Sequence, residues 1–142
     1  PEVEVIGPAD DALFFLLGAG DPVAVRSEIR WMLRLVDAAG AVAARGWRPG
    51  SRGGVDLEII DEHAPWNAGR WRLEVDDGRA QLVRGGAGTV QVGIGALSSW
   101  WAGYARGRTL AGTGLLRTAD ETALATFDAL GATSPPTLVD FY

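Results

Sequence analysis

Residues 69–84 read Gly-Arg-Trp-Arg-Leu-Glu-Val-Asp-Asp-Gly-Arg-Ala-Gln-Leu-Val-Arg. Trp71, Leu73 and Val75 alternate with Arg70, Arg72 and Glu74, and a period of two puts one apolar set on one face of a strand. Asp77-Gly78 follows directly, the dipeptide suited to a tight turn in which both central residues take positive φ. A returning antiparallel strand is therefore predicted over Arg79–Arg84, and the middle of the chain is a β-hairpin.

Working outward, Val55, Leu57 and Ile59 alternate with Asp56 and Glu58, predicting a strand before the hairpin, with a turn over His63–Asn67. Gly85–Gly88 is a flexible connection, and Val90, Val92 and Ile94 mark a strand after it. Further upstream, Ile29, Trp31, Leu33 and Leu35 alternate with Glu28, Arg30, Met32 and Arg34, predicting a strand over Ser27–Val36 with Trp31 on its buried face. Asp37 is placed to cap a helix over Ala38–Arg45, and Gly46 to stop it. A short helix is predicted over 8–20, with Asp10 as its cap and Gly18 or Gly20 at its end. Downstream, the pattern turns helical from Ala96 through Trp100, Trp101 and Tyr104 to about Gly107. Thr118 and Glu121 have capping-box spacing, ahead of Leu124, Phe127 and Leu130 on a helix that Gly131 ends. Pro135-Pro136 keeps the last ten residues from being regular helix. The expected fold class is α+β: one curved sheet of about five strands with helices packed on one face. Residues 1–142 form one domain on this reading, with 1–22 a lead-in helix or linker.

The 142 residues are 47% hydrophobic and 22% charged, enough to build a core in one domain of ordinary size. The longest strongly apolar run, Ala12–Leu17, is far short of the roughly 20 residues of a membrane span, and no signal-peptide pattern is present. With no cysteine, disulfides, thiolate ligands and cysteine nucleophiles are excluded. The net charge of −5 argues against nucleic acid, whose binders show a basic face. Every basic residue is Arg, which could suggest phosphate recognition; beside abundant Ala and Gly, a GC-rich coding bias is the preferred reading. A cytoplasmic location is the default expectation. The chain starts at Pro1, which fits an expectation that an upstream catalytic portion is missing.

Three segments carry a resemblance. Ile29–Asp37 with Ala38–Trp47, the stretch Val55–Val75 centred on Ala64-Pro65-Trp66-Asn67-Ala68-Gly69-Arg70-Trp71, and the tail Thr126–Tyr142 together resemble the sterol-carrier-protein-like C-terminal domain of Eis-type (enhanced intracellular survival) N-acetyltransferases of the GNAT class. Pro-Trp-Asn-x-Gly-x-Trp is the specific part. The resemblance implies a parent enzyme that transfers acetyl from acetyl-CoA to small amines, including aminoglycosides in some members. It implies an N-terminal acetyltransferase domain as partner, acetyl-CoA held by that parent and not by this domain, and a homo-oligomer. It also implies that the C-terminal carboxylate, here Tyr142, acts as general base, with Asp140 and Phe141 beside it at the substrate. The family usually ends in Phe; Tyr142 is a departure that leaves the carboxylate intact. The isolated chain is expected to be inactive.

Other candidates are weaker. An acetyl-CoA cradle needs Q/R-x-x-G-x-G/A opening a helix; Gln91–Gly95 has its glycine one residue early, and Arg108–Gly114 one late. His63 with Asp61 and Glu62 reads as a surface turn, since a metal needs several converging ligands. Ser98 or Ser51 could join His63 in a triad, but no G-x-S-x-G elbow is present. The six tryptophans could line a lipid tunnel, making the chain a stand-alone sterol or acyl carrier; packing is preferred. Adjacent Trp100 and Trp101 must point to different helix faces. A purely structural interaction domain is the third possibility.

Overall fold

The computed structural model describes residues 16–17, 24, 26–27, 31–133 and 136. Within them the elements run α1 (Ala38–Ala44), β1 (Arg52–Ile60), β2 (Gly69–Asp76), β3 (Arg79–Arg84), β4 (Val90–Gly93), α2 (Ile94–Trp101), α3 (Gly107–Gly112), β5 (Leu116–Arg117) and α4 (Glu121–Leu130). The sheet order is β3-β2-β1-β4-β5. All neighbouring pairs are antiparallel except β1 with β4, which is parallel. The fold is α+β with a five-stranded sheet, as expected, and the sheet is mixed.

The hairpin forms where Asp77-Gly78 places it. Both residues take positive φ, 45° and 85°, and Asp76 faces Arg79 across the turn. Its register lines up Leu57 with Trp71, Val55 with Leu73, and Leu73 with Leu82. Every one of these side chains is buried. Val90 and Val92 extend the same apolar face across β4, opposite Leu57 and Ile59. Against this face sits a cluster from the helices: Val42, Leu97, Trp100, Leu110, Leu124, Phe127 and Leu130. Trp100 stacks on Phe127 at 4.1 Å between centroids and 12° between planes, and lies tilted against Trp47 at 6.0 Å. A stacked pair of this kind adds about 0.5–1.5 kcal/mol beyond its area. The Trp100 indole N–H finds the Phe127 carbonyl at 2.9 Å, so no donor is stranded in the core.

Five strands are present among the described residues, but they are not the five expected. Trp31–Leu35 carries no strand ladder. Its backbone is claimed by side chains instead: the Leu35 N–H donates to Ser98 Oγ at 2.9 Å, and the Val36 carbonyl accepts from Trp66 Nε1 and Asn67 Nδ2. The alternation survives in part, with Leu35 buried and Met32 and Val36 exposed, but Trp31 is 41% exposed, not buried. Residues 28–30 of the predicted strand lie outside the described residues, as does the predicted helix over 8–20 except for Leu16 and Leu17. The fifth strand is β5, whose two residues pair with Gln91 and Val92; two residues are too short to show a period.

Three helix boundaries also move. Ile94 belongs to α2, not to the preceding strand. Ile94, Leu97, Ser98 and Trp100 are its buried residues, and the Ser98 hydroxyl donates to the Ile94 carbonyl one turn back. The helix ends at Trp101 rather than near Gly107, and Gly107 instead opens α3. At the last helix, Asp120 is the cap: its carboxylate accepts from the Thr122 and Ala123 N–H groups. Thr118 Oγ1 accepts from the Asp120 N–H. The capping-box spacing of Thr118 with Glu121 is therefore coincidental, because the nearer carboxylate reaches the helix donors first. Asp37 caps α1 as expected, accepting from Gly40 N at 2.9 Å.

Candidate functional site

The loop Asp61–Ala68 between β1 and β2 holds the densest polar arrangement among the described residues. Asp61 and Asn67 of this loop, with Ser98 of α2, are the buried polar side chains among the described residues. Asp61 leaves β1 with its side chain wholly inside the protein and faces the Arg34 guanidinium at 2.5 Å. Its Oδ1 also accepts from the His63 and Ala64 N–H groups at 3.1 and 3.0 Å, and Oδ2 accepts from Asn67 Nδ2 at 3.1 Å. Burial pushes the Asp61 pKa up, but the hydrogen bonds from Asn67, Ala64, His63 and Arg34 together outweigh it, so the carboxyl lies below its ordinary value.

Asn67 is the hub. Its Nδ2 donates to Asp61 and to the Val36 carbonyl, its Oδ1 accepts from the Ala38 N–H at 2.9 Å, and its own carbonyl accepts from Trp71 Nε1 at 2.7 Å. An amide has two donors and an acceptor with two lone pairs, so Asn67 can bind segment and loop at once. Trp66 stays 57% exposed, yet its indole N–H is fixed to the Val36 carbonyl at 2.8 Å. Arg84 braces the loop from β3: its guanidinium lies 3.9 Å from the Trp71 ring centroid and donates to the carbonyls of Ala68 and Trp66. The Pro-Trp-Asn-x-Gly-x-Trp stretch is thus a structural clamp joining β1, β2 and the segment before α1. The buried roles of Asp61, Asn67 and Ser98 were not legible in the sequence, because alternation counts apolar residues and is silent on buried polar ones.

His63 and Glu62 are exposed while Asp61 points inward, so the three do not converge. Among the described residues there is no group of three or more His, Asp or Glu side chains placed to hold a metal. Ser98 is committed to Ile94 and Leu35. Gly93 ends β4 and is itself the N-cap of α2. Strand therefore runs into helix with no intervening glycine loop, and the nest of N–H groups that cradles a pyrophosphate is not formed by Gln91–Gly95. Gly85–Gly88 precedes a strand, as read, and folds back so that the Ala87 N–H donates to Asp56 Oδ2 at 3.0 Å. That bond and the pair to Arg72 at 3.0 Å hold the Asp56 carboxyl below its ordinary value.

Two further features complete the surface. The sheet face away from the helices is charged, with Arg72 bridging Asp56 and Glu74 and Gln81 donating to Glu74; exposed pairs of this kind contribute about 0–1 kcal/mol each. At the C-terminal end of β1, the residues Ile60, Gln91, Gly93, Gly114, Leu115 and Arg117 border an open-sided hollow of about 260 Å³. That is smaller than the roughly 300–1,000 Å³ of ordinary small-ligand sites. Trp100 fills the core, whereas Trp101 is half-buried and donates to the Ala41 carbonyl at 3.2 Å, so the adjacent rings do part to different faces. Arg45 lies over Trp47 at 4.4 Å and within 6.0 Å of Trp101; burial lowers its pKa. Tyr142, Asp140 and Phe141, the expected catalytic and substrate-side residues, lie outside the described residues. No helix among the described residues is long and apolar enough to cross a membrane.

Comparison with known proteins places this architecture. The chain is 35% identical over 94 residues to an uncharacterized N-acetyltransferase of Streptomyces coelicolor, a match covering 66% of this chain and 22% of that protein. Among solved structures, a GCN5-related N-acetyltransferase from Anabaena variabilis superposes with a TM-score of 0.90 at 34% identity, over 96% of this chain and 34% of that one. One from Kribbella flavida gives 0.71 at 32% identity, over 77% and 28%. Eis1 from Mycobacterium abscessus gives 0.60 at 28% identity, over 75% and 26%. The chain thus spans between about a fifth and a third of the length of these relatives. Residues 38–139, from the first residue of α1 to beyond α4, match the sterol carrier protein domain, and the chain belongs to that family.

Proposed function

We propose that this chain is the C-terminal domain of an acetyl-CoA-dependent N-acetyltransferase of Eis type, acting on an amine or aminoglycoside-type acceptor. The observation that carries the reading is the likeness over 96% of the chain to one third of the Anabaena N-acetyltransferase. In this proposal acetyl-CoA is held by an N-terminal acetyltransferase portion. The domain contributes packing surface to an oligomeric, cytoplasmic enzyme, and it contributes the Tyr142 carboxylate to the active site. A terminal carboxylate has an ordinary pKa of about 3.3–3.7, which makes it a weak base in water. In a dry site its pKa rises, and it becomes a better acceptor for the proton of a substrate ammonium, leaving the amine free to attack the acetyl carbonyl. Asp140 and Phe141 would sit beside the acceptor.

The test is kinetic, on the longer acetyltransferase. Deleting Tyr142 should lower kcat by about 10²–10⁴-fold, the range for loss of a general base, with acetyl-CoA affinity nearly unchanged. Unchanged turnover would remove the carboxylate from the mechanism. The rival reading, a free-standing lipid carrier, has the family name in its favour. Against it, the space between sheet and helices holds Trp100, Phe127, Leu97 and Leu57, each at most 1% exposed. Native mass spectra of the chain with fatty acids and sterols separate the two: stoichiometric lipid retention would favour the carrier.

A further inference from the structure

We propose that residues 31–36 form a strap that opens from the domain as a unit separate from the sheet, with Asp61, Trp66 and Asn67 as its latch and Asp37 as its hinge. The strap carries no ladder. Among the described residues, its polar fastenings come from the one loop and from Ser98: Arg34 to Asp61, the Val36 carbonyl from Trp66 and Asn67, and Leu35 N–H to Ser98. Leu35 is its one fully buried apolar side chain. Leu33 is partly buried, and Trp31, Met32 and Val36 are 41%, 99% and 65% exposed.

The hinge is fixed from the other side. Asp37 caps α1, its carbonyl accepts from the Ala41 N–H at 3.0 Å, and Asn67 Oδ1 holds the Ala38 N–H. Ala38 is fully buried in the same core as α1. Segments with few buried apolar contacts and side-chain-only fastenings open with less free energy than ladders flanked on both sides, and β1 is the central strand with β2 and β4 beside it. The strap can therefore lift at Asp37 while α1 and the sheet remain closed. The consequence, though not the opening itself, rests on the reading above. The strap leads toward the N-terminal side of the chain, so its opening would let the domain swing relative to an acetyltransferase portion without unfolding.

Native-state hydrogen exchange on this chain with increasing urea tests the opening. The Leu35 amide and the Trp66 indole N–H are expected to exchange by a route almost insensitive to urea, while the Ala38 amide and the β1 ladder amides follow the steep urea dependence of global unfolding. Trp66→Phe removes one fastening on an exposed ring and should speed Leu35 exchange about three- to tenfold, the size of one net hydrogen bond; β1 exchange should stay within about twofold under those conditions. Leu35 exchange as urea-dependent as that of β1, or unmoved by Trp66→Phe, overturns the proposal. The wild-type urea series decides it even if the variant fails to fold. Because no activity is measured, this result is independent of the Tyr142 deletion.

Discussion

Replacing Gly131 with alanine should destabilise the protein, although its backbone conformation suits any residue. Gly131 has φ −76° and ψ −6° as the C-cap of α4, so alanine meets no φ penalty there. On an unobstructed site the change would stabilise by about 0.4–1 kcal/mol, by restricting the unfolded chain. At Gly131, however, the added Cβ would lie 2.0 Å from Trp100 Nε1, with Cε2 and Cδ1 at 2.5 and 2.6 Å. Trp100 is 1% exposed and stacked on Phe127, so its ring cannot swing into solvent. Overpacking of this kind costs about 1–3 kcal/mol. Moving the indole N–H off the Phe127 carbonyl leaves a buried donor unpaired, costing a further 1–3 kcal/mol or so. After the entropic gain is offset, the expected net loss is about 1–5 kcal/mol, against a total stability of about 5–15 kcal/mol. With a urea m-value near 2 kcal/mol/M, the unfolding midpoint should fall by about 0.5–2.5 M. Gly112, the last residue of α3, is the control: a Cβ there meets nothing within 4 Å, so alanine should be neutral or stabilising by up to about 1 kcal/mol. Equal effects of the two substitutions would refute the assignment of Gly131 to close packing.

Asp61 gives a pH prediction. Its folded pKa is depressed below the unfolded value, so the stability it contributes is complete above about pH 4. It is lost as pH falls through the lower folded value. Urea midpoints measured from pH 7 down to 3 should drop in that window, and Asp61→Asn should flatten the drop while lowering the pH 7 value; an unchanged slope would remove Asp61 from the acid response. At α4, Asp120→Ala should cost about 1 kcal/mol, as loss of an N-cap does, and Thr118→Ala less, since Thr118 accepts only from the Asp120 N–H. The reverse order in urea unfolding would restore Thr118 as the cap.

Much of the fold was legible because its signals are local. Alternation at Val55–Ile59 and Trp71–Val75, with the positive-φ dipeptide Asp77-Gly78 between strands, fixes the hairpin without help from distant residues. Asp37 likewise caps α1 from three residues away. The misreadings fall where partners are remote. Leu33 and Leu35 alternate as a strand would, but Ser98, Trp66 and Asn67, 30 or more residues away, take the backbone groups that a ladder would use. Ile94 continues the period of Val90 and Val92 and is nonetheless the first residue of a helix. The candidate site divides in the same way. The Pro-Trp-Asn-x-Gly-x-Trp stretch stood out in the sequence, but its role as a clamp rests on hydrogen bonds reaching Val36 and Ala38.

What the sequence determined by itself was the α+β class, the central hairpin, the Asp37 cap of α1, and a likeness that a family match over residues 38–139 bears out at the level of the sterol carrier protein domain. Only the tertiary structure decided that 31–36 is held by side chains rather than by a ladder, that β5 supplies the fifth strand, and that Gly131 makes room for a ring. The physical reason is that periodicity and turn chemistry are properties of neighbouring residues. The burial of Asp61 and Asn67, the partner of a backbone N–H and the space beside a glycine are properties of residues brought together by folding.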